Sequence, residues 1–310
     1  MPKSRSRFRR RRSPFVRKRR SRAPTRSRYR SRRRLPRRGV SMKSLLNMTS
    51  VKKRDTMLTY TNSTASSQSG GDTYSTSVPA VVVGGQGVNG AATFLWCATA
   101  RDFTTSNSGS RGTIYDSATR TSTTPYMIGL KEAIEIQVST GMPWQWRRIC
   151  FTFKGPLGLT LDATQAVATE TSAGWVRVMN QISGEPGGGQ QYILFERLFK
   201  GQNTVDWNDV MTAKVDNTRV TLRYDRTCTL ASGNEDGFIR KYNRWHPMRK
   251  TLVYDDDELA GGKNSRSFST EGRAGMGDYY VLDLFRARTG STASDLLSVR
   301  PESTLYWHEK

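Results

Sequence analysis

Alternation of apolar and polar side chains is the clearest signal in the chain. Over residues 218–230 (TRVTLRYDRTCTL), Val220, Leu222, Tyr224, Arg226, Cys228 and Leu230 fall on one face, with threonines, Arg223 and Asp225 on the other. That is the period-two pattern of a half-buried β-strand, interrupted only by Arg226. Residues 146–154 (WRRICFTFK) are aromatic and β-branched and stop at Gly155-Pro156, which predicts a second strand. The same reasoning predicts strands over 57–61, 92–98, 133–138, 175–182, 249–254, 278–286 and 304–308. Turn-forming segments separate them at 63–71, 84–90, 104–112, 184–189 and 261–265. Only 161–169 and 205–214 read as helices, the second with Asp206 or Asp209 near its start. Many strands, long loops and few helices predict an all-β fold: a single antiparallel jelly roll or sandwich rather than a parallel α/β sheet. No repeat of fixed period is present, which argues against propellers and solenoids.

Charge divides the chain in two. Of 50 Lys and Arg, 24 fall within residues 1–54, where there is no acid at all; Asp55 is the first carboxylate. Residues 55–310 carry 26 basic and 26 acidic side chains, a net of zero. The domain reading is therefore a basic arm over 1–54 and a neutral jelly-roll body over 55–310. Like charges packed this densely repel, and few apolar groups offset the entropy of ordering, so disorder is expected in the arm.

The arm predicts polyanion binding. The cations Arg5, Arg7, Arg9, Arg10, Arg11, Arg12, Arg17, Lys18, Arg19, Arg20, Arg32, Arg33, Arg34, Arg37 and Arg38 are the candidate nucleic-acid-binding residues. Arginine predominates, and its planar fork grips phosphate oxygens in pairs while its face stacks on bases. Phe8, Phe15 and Tyr29 lie among them and can stack on unpaired bases. Such contacts read no base sequence, so binding is expected to be non-specific and steeply salt-dependent. The runs Arg9, Arg10, Arg11, Arg12 and Arg17, Lys18, Arg19, Arg20 also suit a nuclear localisation signal, with nuclear import receptors as the expected partners.

Other chemistry is thinly signalled. No apolar run reaches the roughly 18–20 residues needed to span a bilayer, and the arm lacks the apolar stretch of a secretory signal, so no membrane insertion is expected. Three scattered cysteines, Cys97, Cys150 and Cys228, fit a reducing compartment and no disulfide framework. Residues 85–90 (GQGVNG) match GxGxxG, but no βαβ pattern surrounds them and they read as a loop. His246 and His308 are too few and too far from the cysteines to signal a metal site. The acidic run Asp255, Asp256, Asp257 and Glu258 reads as a solvated loop or a patch meeting a basic neighbour rather than a cation site. No GxSxG motif or catalytic set is legible. The chain is expected to be no enzyme and to need no cofactor or metal.

Three segments together resemble a known family: MPKSRSRFRRRRSPFVRKRR at 1–20, MPWQWRRICFTFKG at 142–155, and RKYNRWHPMRKTLVYDDDE at 240–258. They are similar to capsid proteins of small circular single-stranded DNA viruses, above all the genomoviruses, including gemycircularviruses, and more distantly the geminivirus coat proteins. The likeness covers nearly the whole chain in order and length. It implies a single jelly roll, self-assembly into a small icosahedral (T=1) shell, packaging of a circular single-stranded DNA genome, and location in the virion and the host cell nucleus. The alternative class is a cellular Arg/Ser-rich nucleic-acid-binding protein of chromatin or RNA processing. Ser-Arg dipeptides such as Ser4-Arg5 and Ser27-Arg28 suit it, but no RNP1-like strand accompanies them.

Overall fold

A computed structural model describes residues 41–310 except 69–70, 86–89, 108, 156, 160–162 and 183–188, with backbone alone for Met42 and Lys43. Helix α1 (Met42–Thr49) leads into β1 (Val51–Met57), β2 (Thr59–Thr61), β3 (Ala80–Val83), β4 (Ala92–Cys97), β5 (Tyr126–Val138) and β6 (Trp144–Phe153). A 3-10 turn (Ala163–Gln165) precedes the short strands β7 (Glu170–Thr171), β8 (Gly174–Trp175) and β9 (Arg177–Met179), and then helix α2 (Gln190–Leu198). The chain closes with β10 (Thr221–Leu230), β11 (Phe238–Thr251), β12 (Asp257–Leu259), β13 (Gly262–Asn264), β14 (Asp278–Ala287) and β15 (Leu296–Glu309).

Eight long strands build two sheets. One runs β1-β15-β5-β11, with β3 paired to the first half of β15, and the other runs β10-β6-β14-β4. Every pairing within these sheets is antiparallel. Counted along the chain, the main strands lie in the orders 1-8-3-6 and 5-4-7-2, so all successive strands except the fourth and fifth cross between sheets; this is a jelly roll. The predicted fold class is the observed one.

Burial explains why some strands alternate and others do not. β5 and β15 alternate between buried and more exposed residues along nearly their whole length. Their outer face meets solvent. β4 is buried throughout, β14 over its first eight residues, and β6 at all but two positions. The second sheet is covered on its outer side by α2 and the 207–215 segment: Leu194, Phe199, Trp207 and Val215 pack against Leu95, Ile149, Phe151 and Leu282. Between the sheets sit Trp96, Leu130, Val281 and Trp307 at one end and Phe94, Ile134, Trp146 and Val299 at the other.

Several expected bounds need correction. The arm–body boundary at residue 54 falls inside β1, where Lys52, Lys53 and Arg54 pair with His308, Trp307 and Tyr306. The folded part therefore begins before residue 51, and the expectation of disorder over residues 1–40 lies outside the described residues. The helix expected at 205–214 is a series of turns: Asp206 accepts from Gln202 N at 2.8 Å and Asp209 from Met211 N at 2.8 Å, so the acids close turns. The segment expected as a helix at 161–169 contains a single 3-10 turn among its described residues. Residues 175–182 contribute only the end of β8 and the three-residue β9, which pairs in parallel with β2. The strand expected over 249–254 is the end of the longer β11, which stops at Thr251. In the β10–β11 turn Gly237 has φ +78, and a Cβ there would meet Val138 O at 1.9 Å, so glycine is required. The GxGxxG segment joins β3 to β4, strands of different sheets; residues 86–89 lie outside the described part.

Candidate functional site

The fifteen predicted nucleic-acid-binding cations, and with them the nuclear localisation runs, all precede residue 41 and lie outside the described residues. What the described body offers is a buried charge cluster and an open sheet face.

The cluster lies between the sheets. Arg148 of β6 donates to Asp283 of β14 through Nε and Nη2 at 2.7 and 2.8 Å, and through Nη1 to Glu132 of β5. Arg177 of β9 donates to Asp283 Oδ2, the oxygen that also takes Arg148 Nη2, at 2.9 Å and to Glu132 at 3.3 Å. Trp146 Nε1 adds a bond to Asp283 at 2.8 Å and Ser303 Oγ one to Glu132 at 3.0 Å. All four charged groups are essentially inaccessible to solvent. Burial alone would raise both carboxyls, but Arg148 and Arg177 outweigh it and hold Glu132 and Asp283 below their ordinary range. Two cations and two anions cancel, and each carboxylate oxygen has a donor. Such a cluster ties five strands into one register; removing a single member leaves a buried charge without its partner.

A thiol and an imidazole touch this cluster. Cys150 Sγ lies 3.8 Å from His246 Nδ1, the kind of contact a nucleophilic Cys–His pair would need. Their proton affinities run the wrong way. Burial pushes the Cys150 thiol up to about 12, and burial together with Arg148 pushes His246 down to about 4. The thiol keeps its proton and the imidazole refuses one, and both side chains are shut away from solvent, so the pair is a piece of core. Cys97 is likewise buried and its thiol raised, first by burial and then by Asp278.

The acidic run is also accounted for. Asp256 receives both guanidinium arms of Arg120 at 2.6 and 3.0 Å and the backbone N–H of Arg266 at 2.9 Å. Asp257 and Glu258 enter the exposed β12–β13 ribbon. The run is thus not wholly solvated: Asp256 is held by Arg120 and the Arg266 backbone. Among the described residues no group of three or more His, Cys, Asp or Glu is placed to hold a metal ion. No described helix is long and apolar enough to cross a membrane.

A set of body cations that the sequence reading did not assign to binding lies on the first sheet. β11 carries Arg240, Lys241, Arg244, Arg249 and Lys250 and no acid. Lys52 and Arg54 project from β1 on the same sheet, with β15 and β5 between. None of these seven enters an ion pair among the described residues. Five cations without an acid in residues 240–250 were a legible signal, hidden by the larger excess in the arm. No family model matches the chain, and no curated protein matches it significantly.

Proposed function

We infer that this chain is a viral capsid protein of the genomovirus type, which assembles into a small icosahedral shell and packages circular single-stranded DNA through its arm. One observation carries the reading: a complete jelly roll follows directly on an acid-free segment with 20 Lys and Arg in its first 40 residues. The body of residues 55–310 has no net charge, so many copies can tile a surface without global self-repulsion. The arm supplies what the body lacks. With on the order of sixty subunits, arms of 20 cations would neutralise roughly 1.2 kilobases at one charge per nucleotide. Mobile cations balance a moderate excess, so a genome of roughly one and a half to three kilobases suits such a shell. The basic runs would engage import receptors before assembly hides them, which would bring the protein to the host nucleus.

The test is gradient sedimentation and electron microscopy of expressed protein, with and without residues 2–40. Shell-sized particles from the full chain, with nuclease-protected DNA that falls several-fold in the truncated protein, are the expected result. Monomers from the full chain would favour a cellular nucleic-acid-binding factor. Equal protection by both proteins would remove the arm from its role.

A further inference from the structure

The outer face of the β1-β15-β5-β11 sheet divides into two halves of different character. Toward the start of β15, charges of both signs alternate: Glu302 and Arg300 project from β15, and Lys241 stands opposite Glu135 in the register. Toward its end the acids stop. There the outward positions of β1 are Lys52, Arg54 and Thr56; those of β15 are Thr304, Tyr306 and His308. Lys131 of β5 lies beside Thr304, with Trp245 of β11 on its other side. The inward neighbours confirm the phase: Lys53, Leu305, Trp307 and His246 are all buried.

Trp245 is 48% exposed, an unusual state for the largest apolar side chain on a sheet face. Its ring lies across Gly129, where a Cβ would meet the indole at 2.7 Å, and reaches toward Tyr306 with ring centroids 5.9 Å apart. A glycine in mid-strand weakens a sheet, and here it leaves the space in which the indole lies. The two rings thus form an aromatic floor. Lys52, Arg54 and Lys131 surround it, and exposed Arg249 and Lys250 follow at the β11 bulge. Arg249 holds a left-handed backbone, φ +50, a strained state for a side-chain-bearing residue.

We propose that this half-face is a platform for single-stranded nucleic acid, on which Trp245 and Tyr306 stack bases while Lys52, Arg54 and Lys131 meet phosphates. The inference rests on the capsid reading for the identity of its ligand. Unpaired cations around exposed rings are complementary to a polymer that offers phosphates and free base faces together. A duplex hides its base faces, so the rings select the single strand. Position adds to the argument. β1 is the first strand after the arm, so a polymer held by the arm is delivered beside this face. The arm would then set affinity, and the platform would immobilise a few nucleotides per subunit.

Tryptophan emission separates the two contributions, because the first tryptophan in the chain is Trp96 and the arm contains none. Full-length protein is titrated with a single-stranded thymidine oligomer and with a duplex of equal length, and emission and oligomer anisotropy are read together. The expected result is quenching by the single strand, lost almost entirely in Trp245→Phe, with anisotropy still reporting binding by the arm. The triple variant Lys52→Gln, Arg54→Gln, Lys131→Gln should lower the logarithmic salt slope of quenching by about 2, at roughly 0.7 for each phosphate no longer neutralised. All these positions are solvent-facing, and thermal unfolding checks that each variant folds. Anisotropy without quenching, unchanged quenching in Trp245→Phe, or equal quenching by duplex would each overturn the platform while leaving the capsid reading intact. Quenching without particles in sedimentation would instead uphold the platform and overturn the capsid reading.

Discussion

The two sheets of this jelly roll share a core but differ in what lies behind them. The β10-β6-β14-β4 sheet carries a second hydrophobic layer on its back, where Arg147 also bonds Asp225 of β10 at 2.9 and 2.6 Å and the carbonyl of Val210 at 2.7 Å. Among the described residues the β1-β15-β5-β11 sheet has no such layer on the half that carries Trp245, whose exposed ring lies across Gly129. A covered back stabilises; an uncovered back remains available for contact. The sandwich therefore backs one sheet with a second apolar layer and leaves half of the other sheet exposed, where the proposed platform lies.

The largest effect should come from the cluster both sheets share. Asp283→Ala strands Arg148 and Arg177 in the core and should cost about 3–5 kcal/mol in urea unfolding. A much smaller loss would mean that water reaches the cluster. Next comes the contrast between the backs. Leu194→Ala, under the cover of the second sheet, should cost about 2–5 kcal/mol, whereas Thr304→Ala on the open face should stay within about 0.5 kcal/mol. Comparable losses at both sites would erase the distinction. Gly129→Ala should cost about 1–3 kcal/mol, because the new methyl meets Trp245 and also His246 O at 2.7 Å. Adding Trp245→Ala should recover part of that loss, since the backbone contact remains.

The smallest effect is a pH dependence. His246 takes a proton near 6.5 when unfolded but only near 4 when folded. Its contribution to stability is therefore complete above about 6.5 and is lost as pH falls toward 4. Asp278, raised to about 6 by burial against the bonds from Ser269 and Thr99, acts in the opposite sense: its contribution is present below its ordinary 3.8 and lost as pH rises toward 6. Unfolding measured from pH 4 to 7 should show a steeper acid loss in Asp278→Asn and a shallower one in His246→Gln. Parallel curves for all three proteins would refute both assignments.

Fold class was legible because 218–230 and 146–154 carry strong local patterns. Among the long strands that were shortened or missed, one cause recurs: polar residues on the core face. In β15 the inward row is Leu297, Val299, Pro301, Ser303, Leu305, Trp307 and Glu309. Ser303 is satisfied by Glu132, and Glu309 by Lys53, Thr121 and the Trp307 indole. Those partners come mostly from distant segments, so the alternation looks broken until the fold is known. Glu132 hides the first half of β5 in the same way. The spurious helix at 205–214 arose because Trp207, Val210, Met211 and Ala213 face the second sheet from turns at a helix-like spacing. The arm was legible as charge alone, whereas the aromatic floor was not, since Trp245 and Tyr306 meet only through the register of β5.

One pairing has a mechanical side. β1 is joined to β15 by seven residue pairs from Val51↔Glu309 to Met57↔Ser303, and α1, which follows the arm in the chain, enters at the Val51 end. Antiparallel hydrogen bonds lie across the strand direction. A pull along β1, such as a tightening polymer would exert, loads these rungs in shear and all at once. A sideways pull would peel them one at a time, beginning at Val51. The direction in which the tether leaves the sheet thus decides whether the anchor behaves as a clamp or as a zip.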